Sequence, residues 1–398
     1  MTLTRACFLS DFPRPTEVDG RKISSRTFWL IAGLLTLFGA LITVQSRGQY
    51  CLPIFSGAGS DALSSLDPYI VREGRPDFFK YGPIWALVLI PLSWLPPLIA
   101  PWFWYVLNAV AFWQGCQIYQ RHHFGERKFA VMDWVLLTPL FLTNGFYGQI
   151  NGVLWWMIAV ALTSRSSWTA ALALSAAAWM KLFPAVLGVL FFKNWKWDHQ
   201  RGSWALGIFL GILAGIVLPA LWWSPEIFVS WWNVVNRDFG MPHHKLGLLS
   251  LLMDSGISQA PALWFQKISA VLYFGALIAI FFRSERKLDQ TVPVTEALFI
   301  VGFLIFSHMT EPPTLALLAP AILVIRGFGL SERKLRGVDG ALLVLLVILP
   351  SDLIPVSFKN ALGGQYAIKT YALLFSAGIL GFALWRTRQG SAPSLARL

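Results

Sequence analysis

Apolar residues in this chain come in long blocks, and most of the charge is confined to short segments between them. The blocks fall at 27–45, 83–119, 129–145, 151–164, 168–180, 182–193, 204–222, 263–282, 293–307, 313–326, 339–350 and 369–385. Each is a candidate membrane helix. Several are shorter than the roughly 20 residues that cross a bilayer cleanly, so they need protein neighbours or local thinning. The block 83–119 is broken by Pro91, Pro96, Pro97 and Pro101. One span plus a re-entrant or interfacial piece is expected there, giving about twelve crossings in all. The predicted class is therefore all-α and polytopic.

Composition agrees with a bilayer as solvent. Hydrophobic residues make up 56% of the 398, and only 13% are charged, against about 25% in an average soluble domain. A soluble fold of this length could not hide that much apolar surface. There are 20 Trp, several in pairs such as Trp155-Trp156 and Trp231-Trp232. They are read mainly as interfacial anchors, with a minority available to stack on a sugar ring. Cys7, Cys51 and Cys116 show neither metal-ligand spacing nor a disulfide framework.

Charge then sets the orientation. The formal net charge is +12, but the basic residues form clusters between apolar blocks, so nucleic acid is not the expected partner. Placing the clusters near Arg21, Arg121, Lys193, Arg283, Arg326 and Arg386 in the cytoplasm puts 22 of the 32 Lys and Arg inside. The segment 1–26 carries Pro13 and Pro15 and no apolar h-region. It is read as a cytoplasmic tail, 27–385 as one transmembrane domain and 386–398 as a second cytoplasmic tail. The polar segments 46–82 (the first outer loop), 223–262 and 351–368 then share the outer face. So do the turn Gly148-Gln149-Ile150-Asn151, Lys181 and the stretch His308 to Pro313. The active site is expected on that face of a plasma or inner membrane.

Polar groups at membrane depth are costly and are functional candidates by default. Lys181 precedes Pro184 at a helix break, and reads either as a snorkelling end residue or as a cation for a phosphate. Gln149 and Asn151 flank a tight turn, which is either a polar hairpin or a pair of amides for a polar ligand. Glu311 lies in the dense polar patch 307–314, either as a solvated loop acid or as a base. Asp133 is expected to pair near a cytoplasmic basic cluster. The first outer loop holds Asp61, Asp67, Glu73, Asp77, Lys80 and Tyr81, and a carboxylate there could deprotonate a sugar hydroxyl. The chain has no DxD pair, Walker A loop, dinucleotide fingerprint or HExxH. The missing DxD weakly favours a lipid-phosphate donor over a nucleotide-sugar.

Asp67-Pro68-Tyr69 followed by Phe78-Phe79-Lys80-Tyr81-Gly82-Pro83 resembles the "DPY…FxYxP" segment of glycosyltransferase family 87. Those are polyprenol-phosphate-mannose-dependent alpha-mannosyltransferases and their bacterial relatives. Gly148-Gln149-Ile150-Asn151 is similar to the family's "GQxN", Lys181-Leu182-Phe183-Pro184 to its "KxxP", and Glu311-Pro312-Pro313-Thr314 to an "ESPT"-like segment of one branch. The resemblance covers residues 48 to 326. It implies a GT-C bundle and an inverting hexosyltransferase, with mannose as the family's sugar, a polyprenyl-phosphate donor and a glycan or glycolipid acceptor. It implies no cofactor and no metal for the donor. Lys181, Gln149, Asn151 and His308 would bind the donor phosphate, and Asp67, Tyr69, Lys80 and Tyr81 would contact substrate. In the family an acid is expected shortly before the "DPY" segment. Here Arg47 to Pro53 contains none, which leaves Asp61 or Glu311 as the base. It also leaves open a non-catalytic role in envelope-glycan assembly. The alternative class is a transporter or flippase, although no internal repeat is evident.

Overall fold

A computed structural model of the chain describes residues 25–45, 49–125, 129–191, 201–237, 246–283, 288–307, 310–327, 332–350, 356–362 and 364–388. These residues are helical, with no β-strand among them. Helix α1 spans Ser25–Gln45, and α2 (Leu52–Leu63) lies within the first outer loop. The block 83–119 divides into α3 (Pro83–Val88), α4 (Ile90–Ser93) and α5 (Ala100–Phe124). Next come α6 (Val131–Tyr147), α7 (Asn151–Thr163), α8 (Ser167–Met180), a 3₁₀ helix Phe183–Leu187 and α9 (Gly188–Phe191). Helices α10 (Arg201–Trp222), α11 (Ile227–Arg237), α12 (Leu248–Asp254), α13 (Gln259–Arg283) and α14 (Leu288–Phe306) follow. A second 3₁₀ helix, Pro312–Leu318, runs into α15 (Ala319–Gly327). Helix α16 (Glu332–Leu343) continues as a π-helical turn, Val344–Ile348, before α17 (Val356–Ala361) and α18 (Gly364–Arg388).

Among the described residues, four helices are long and apolar enough to cross a membrane: Arg26–Val44, Gly202–Trp222, Gln259–Arg283 and Ala367–Trp385. Only 17% of the apolar window of α10, and of α13, is buried inside the protein. Side chains such as Leu210, Ile212, Val271 and Leu272 are exposed. A continuous apolar exterior of this kind requires hydrocarbon around it. The chain is an integral membrane protein.

The interior is built from shorter helices. Helix α7 packs between α5 and α8, and α8 against α10. Trp155, Leu154 and Ile158 of α7 are fully buried. The run Leu315–Ile325 lies between α6 and α14 and is buried along its length. Two predicted blocks are not continuous α-helices. The block 182–193 is a 3₁₀ helix followed by α9, and 313–326 begins as a 3₁₀ helix. Prolines 184, 312 and 313 open both 3₁₀ segments, where a missing N–H leaves no donor for a continuing α ladder.

The Arg326 guanidinium is held between the Asp133 and Asp339 carboxylates, all three buried. This joins α6, α15 and α16, and gives Asp133 the cationic partner that its position suggested. Nearby, Glu296 of α14 accepts from the Tyr119 hydroxyl at 3.0 Å and lies 3.0 Å from His123 Nε2.

Candidate active site

The site begins at the turn between α6 and α7. Gly148 closes α6 in the left-handed conformation, with φ of 66°, and an added Cβ would stand 2.9 Å from the Gln49 Cα. Glycine fits there because it carries no Cβ. The turn is fixed on both sides: Trp104 Nε1 donates to the Gly148 carbonyl at 2.7 Å, and Cys51 N donates to the Tyr147 carbonyl at 2.9 Å. The segment after α1 is therefore sewn to the end of α6.

Gln149 is the junction of the site. Its Oε1 accepts from the Tyr81 hydroxyl at 2.8 Å, and its Nε2 faces Cys51 Sγ at 3.1 Å and Glu311 Oε2 at 3.4 Å. One amide thus gathers the first outer loop, the 148–151 turn and the patch at 307–314. Asn151, fully buried at the start of α7, accepts from Lys181 Nζ at 2.8 Å through Oδ1, while its Nδ2 has no partner among the described residues. Lys181 ends α8 in extended backbone and is electrically coupled to Glu311. Glu311 is extended just before the 3₁₀ helix, and Leu246 N donates to the neighbouring Thr310 carbonyl.

The first outer loop contributes unevenly. Asp67 Oδ1 accepts from Tyr69 N at 2.8 Å, closing a local turn, and the Tyr69 hydroxyl donates to the Tyr81 carbonyl at 2.7 Å. Both residues shape the loop that presents Tyr81. Lys80 pairs with Asp77 at 2.7 Å, and Trp231 Nε1 donates to the Lys80 carbonyl at 3.3 Å. Asp61 is buried on α2, where Arg75 bonds one carboxylate oxygen at 2.5 Å and Arg72 lies 3.1 Å from the other. It is absent from the charges acting on Tyr50, Cys51, Tyr81 and Lys181, whereas Glu311 acts on all four. His308 lies outside the described residues.

Three residues join the site beyond those assigned to it from sequence, where Asp77 stood only as one of several loop carboxylates. Asp77 acts on Tyr50, Cys51 and Tyr81 together with Glu311. Its nearness to the "FxYxP"-like segment was the available signal. Cys51 occupies the stretch where an acid was expected. Burial pushes its thiol up to about 12, and the Glu311 and Asp77 carboxylates reinforce this, so it is a neutral group rather than a nucleophile near pH 7. Gln49 donates through Nε2 to the Pro101 carbonyl at 2.7 Å, leaving its Oε1 unpaired.

A cation and a carboxylate gathered by neighbouring amides at helix ends form a polar cluster whose chemistry suits an anionic leaving group and an acceptor hydroxyl. The sequence profile of glycosyltransferase family 87 matches residues 78–307, more than half of the chain. The chain belongs to glycosyltransferase family 87. It is similar to the polyprenol-phosphate-mannose-dependent alpha-(1-2)-phosphatidylinositol pentamannoside mannosyltransferase of Mycolicibacterium smegmatis, with 30% identity over 35% of this chain and 36% of the relative. The protein of the same description from Mycobacterium tuberculosis is 32% identical over 34% of this chain and 33% of its own. GPI mannosyltransferase 1 of Schizosaccharomyces pombe is 23% identical over 40% and 43%. The chain thus spans between a third and under half of the length of these relatives.

Proposed function

We propose that this protein transfers a hexose from a polyprenyl-phosphate donor to a hydroxyl of a glycan or glycolipid acceptor at the outer face of the membrane. Mannose is the sugar named for the relatives. In the same reading the chain forms a GT-C bundle of about twelve crossings with both ends in the cytoplasm. The observation that carries it is the junction at Gln149, which bonds Glu311 two residues from Asn151, the amide that holds Lys181.

Glu311 accepts the proton of the acceptor hydroxyl as that oxygen attacks the anomeric carbon. The bond from that carbon to the donor's phosphate oxygen breaks, and its electron pair leaves with the phosphate. The sugar is inverted. Lys181 meets the charge that grows on the departing phosphate, and the free Nδ2 of Asn151 supplies a further donor. Holding both substrates in one pocket adds proximity. Asp77 is the second acid on this side, and the twin arginine contacts of Asp61 favour a positioning role for it.

The test is hexose transfer from labelled polyprenyl-phosphate donors in membranes, comparing wild type with Glu311→Gln, Asp77→Asn, Asp61→Asn and Lys181→Ala at equal expression. Loss with Glu311→Gln and Lys181→Ala is expected. Full transfer in Glu311→Gln would overturn its role as the base. No transfer by wild type with any such donor would overturn the function.

A further inference from the structure

The first outer loop reaches Gln149 through the Tyr81 hydroxyl, which lies 2.8 Å from Oε1. Tyr81 is buried, and its backbone is fixed on both sides. Its carbonyl accepts from the Tyr69 hydroxyl at 2.7 Å, and the next residue, Gly82, donates from its N to the Trp179 carbonyl at 2.8 Å. Glycine permits that approach, because an added Cβ would stand 2.6 Å from the same carbonyl. Trp179 lies two residues before Lys181, so the loop is anchored to the helix that ends at the cation. The Tyr81 ring packs on Phe55 and Phe79, with centroids 5.3 and 5.5 Å away. The hydroxyl is therefore delivered to one place and does not follow the amide if the amide turns.

A glutamine amide has two unlike ends: its nitrogen carries two donors and its oxygen only accepts. At Gln149 the nitrogen end faces Cys51 Sγ at 3.1 Å and Glu311 Oε2 at 3.4 Å. An ionised carboxylate is acceptor-only, so a half-turn of the amide would set two acceptors against each other. The neutral, buried Cys51 thiol is a weak partner for either end and imposes no orientation. With Glu311 ionised, donation from Tyr81 to Oε1 is the arrangement that satisfies all three groups. Burial, reinforced by neighbouring carboxylates, keeps the phenol protonated well above neutral pH, so the donor persists.

We propose that Tyr81 is a positioning residue for the base: its hydroxyl fixes the Gln149 amide with the N–H end toward Glu311 and so holds Glu311 as an ionised proton acceptor. This differs from the substrate contact that the resemblance implied for Tyr81. Its meaning for catalysis rests on the transferase reading above; the coupling itself rests on the hydrogen bonds. Donation by an N–H favours the charged form of a carboxylate. Without the Tyr81 hydroxyl the amide is free to turn, the charged form loses support, and Glu311 ionises at higher pH. The other charged and titratable groups around Glu311 are Lys181 at the end of α8, Tyr50 and Cys51 after α1, and Asp77 and Lys80 in the first outer loop. Tyr147 closes α6 beside Cys51. Tyr81→Phe leaves all of these in place and removes one oxygen.

The test compares wild type, Tyr81→Phe, Gln149→Met and the double variant. Phenylalanine keeps the ring contacts, and the Tyr69 bond is to the backbone, so Tyr81→Phe should melt as wild type does. In transfer assays across pH, the acid limb of kcat/KM should move up by about half a unit to one unit in Tyr81→Phe, the scale of one hydrogen bond to a charged group. Above that limb the rate should fall less than about threefold, since the base is still present. Gln149→Met should move the limb at least as far, and the double variant no further than Gln149→Met, because Tyr81 acts through the amide. A loss equal at every pH, or two shifts that add, would overturn the proposal. The second measurement needs no catalysis. The carboxyl stretch of Glu311 is followed by infrared difference spectroscopy as pH is changed, with Glu311→Gln identifying the band. Its midpoint should rise in Tyr81→Phe by the same amount. An unmoved midpoint in a normally melting variant would overturn the proposal. A moved midpoint in a protein whose wild type transfers no hexose would support the coupling and overturn the transferase reading.

Discussion

Lys181 and Glu311 are 130 positions apart in the chain and are joined in space through two amides, Asn151 and Gln149. Such an arrangement separates the effects of single substitutions. Lys181→Ala should lower kcat by about 10²-fold or more, as for other groups that meet charge in a transition state, with Lys181→Arg recovering part of it. Single-turnover rates at saturating donor would show this. Glu311→Gln removes a proton acceptor and should cost about 10²–10⁴-fold, with little change in donor binding. Asp61→Asn should act differently. Its carboxylate holds Arg75 and Arg72, so its loss should appear as a lower melting temperature in detergent and a modest rate effect. A rate loss as large as that of Glu311→Gln, in a protein of unchanged melting temperature, would return Asp61 to the catalytic role. The short motifs were legible in sequence because they depart from the apolar background. What they did not show is that Asp67 and Tyr69 fold the loop, or that Asp77 comes close to Cys51 and Tyr81.

Helices place these residues through their ends rather than their middles. Helix α6 stops at Gly148, α7 starts at Asn151, α8 stops at Lys181, and Glu311 precedes a 3₁₀ helix. Helix ends carry unsatisfied backbone groups, and polar side chains gather there. The Gly148 turn is the most constrained of these. Gly148→Ala should destabilise the protein by about 1–2 kcal/mol through its left-handed backbone and the nearby Gln49. It should also lower kcat, since Gln149 would shift. Thermal melting and transfer rates on the same preparation would check both; an unchanged melt would show that the turn relaxes. Blocks of apolar residues announced these elements, but not their type. Residues 182–193 and 313–326 read as helix by hydropathy, yet each opens as a 3₁₀ helix, which depends on packing that hydropathy does not encode.

For the whole molecule, burial is divided between two kinds of helix. The four long apolar ones present half or more of their surface to lipid, and the others, α5 and α7 among them, fill the interior and carry the site. The buried Asp133–Arg326–Asp339 cluster locks α6, α15 and α16 together. Removing Asp133 leaves Arg326 with Asp339 alone and its Nε bond unmade, so Asp133→Ala should cost about 1–3 kcal/mol. It should reduce the folded yield on size exclusion while leaving KM near wild type in the protein that does fold. A variant with a normal melt and a raised KM would instead link that cluster to the substrates.

By itself the sequence determined that this chain lives in a bilayer, that it is helical, and which short motifs align it with its family. Hydropathy and motif identity are local properties, and they survive without knowledge of contacts. Tertiary structure decided which acid stands near Lys181, that Asp61 is taken up by arginines, and that the Tyr81 hydroxyl meets the Gln149 amide. Those facts depend on which helix ends meet. Packing among helices that are apolar on most sides is set by shape and proline breaks, and hydropathy does not encode either.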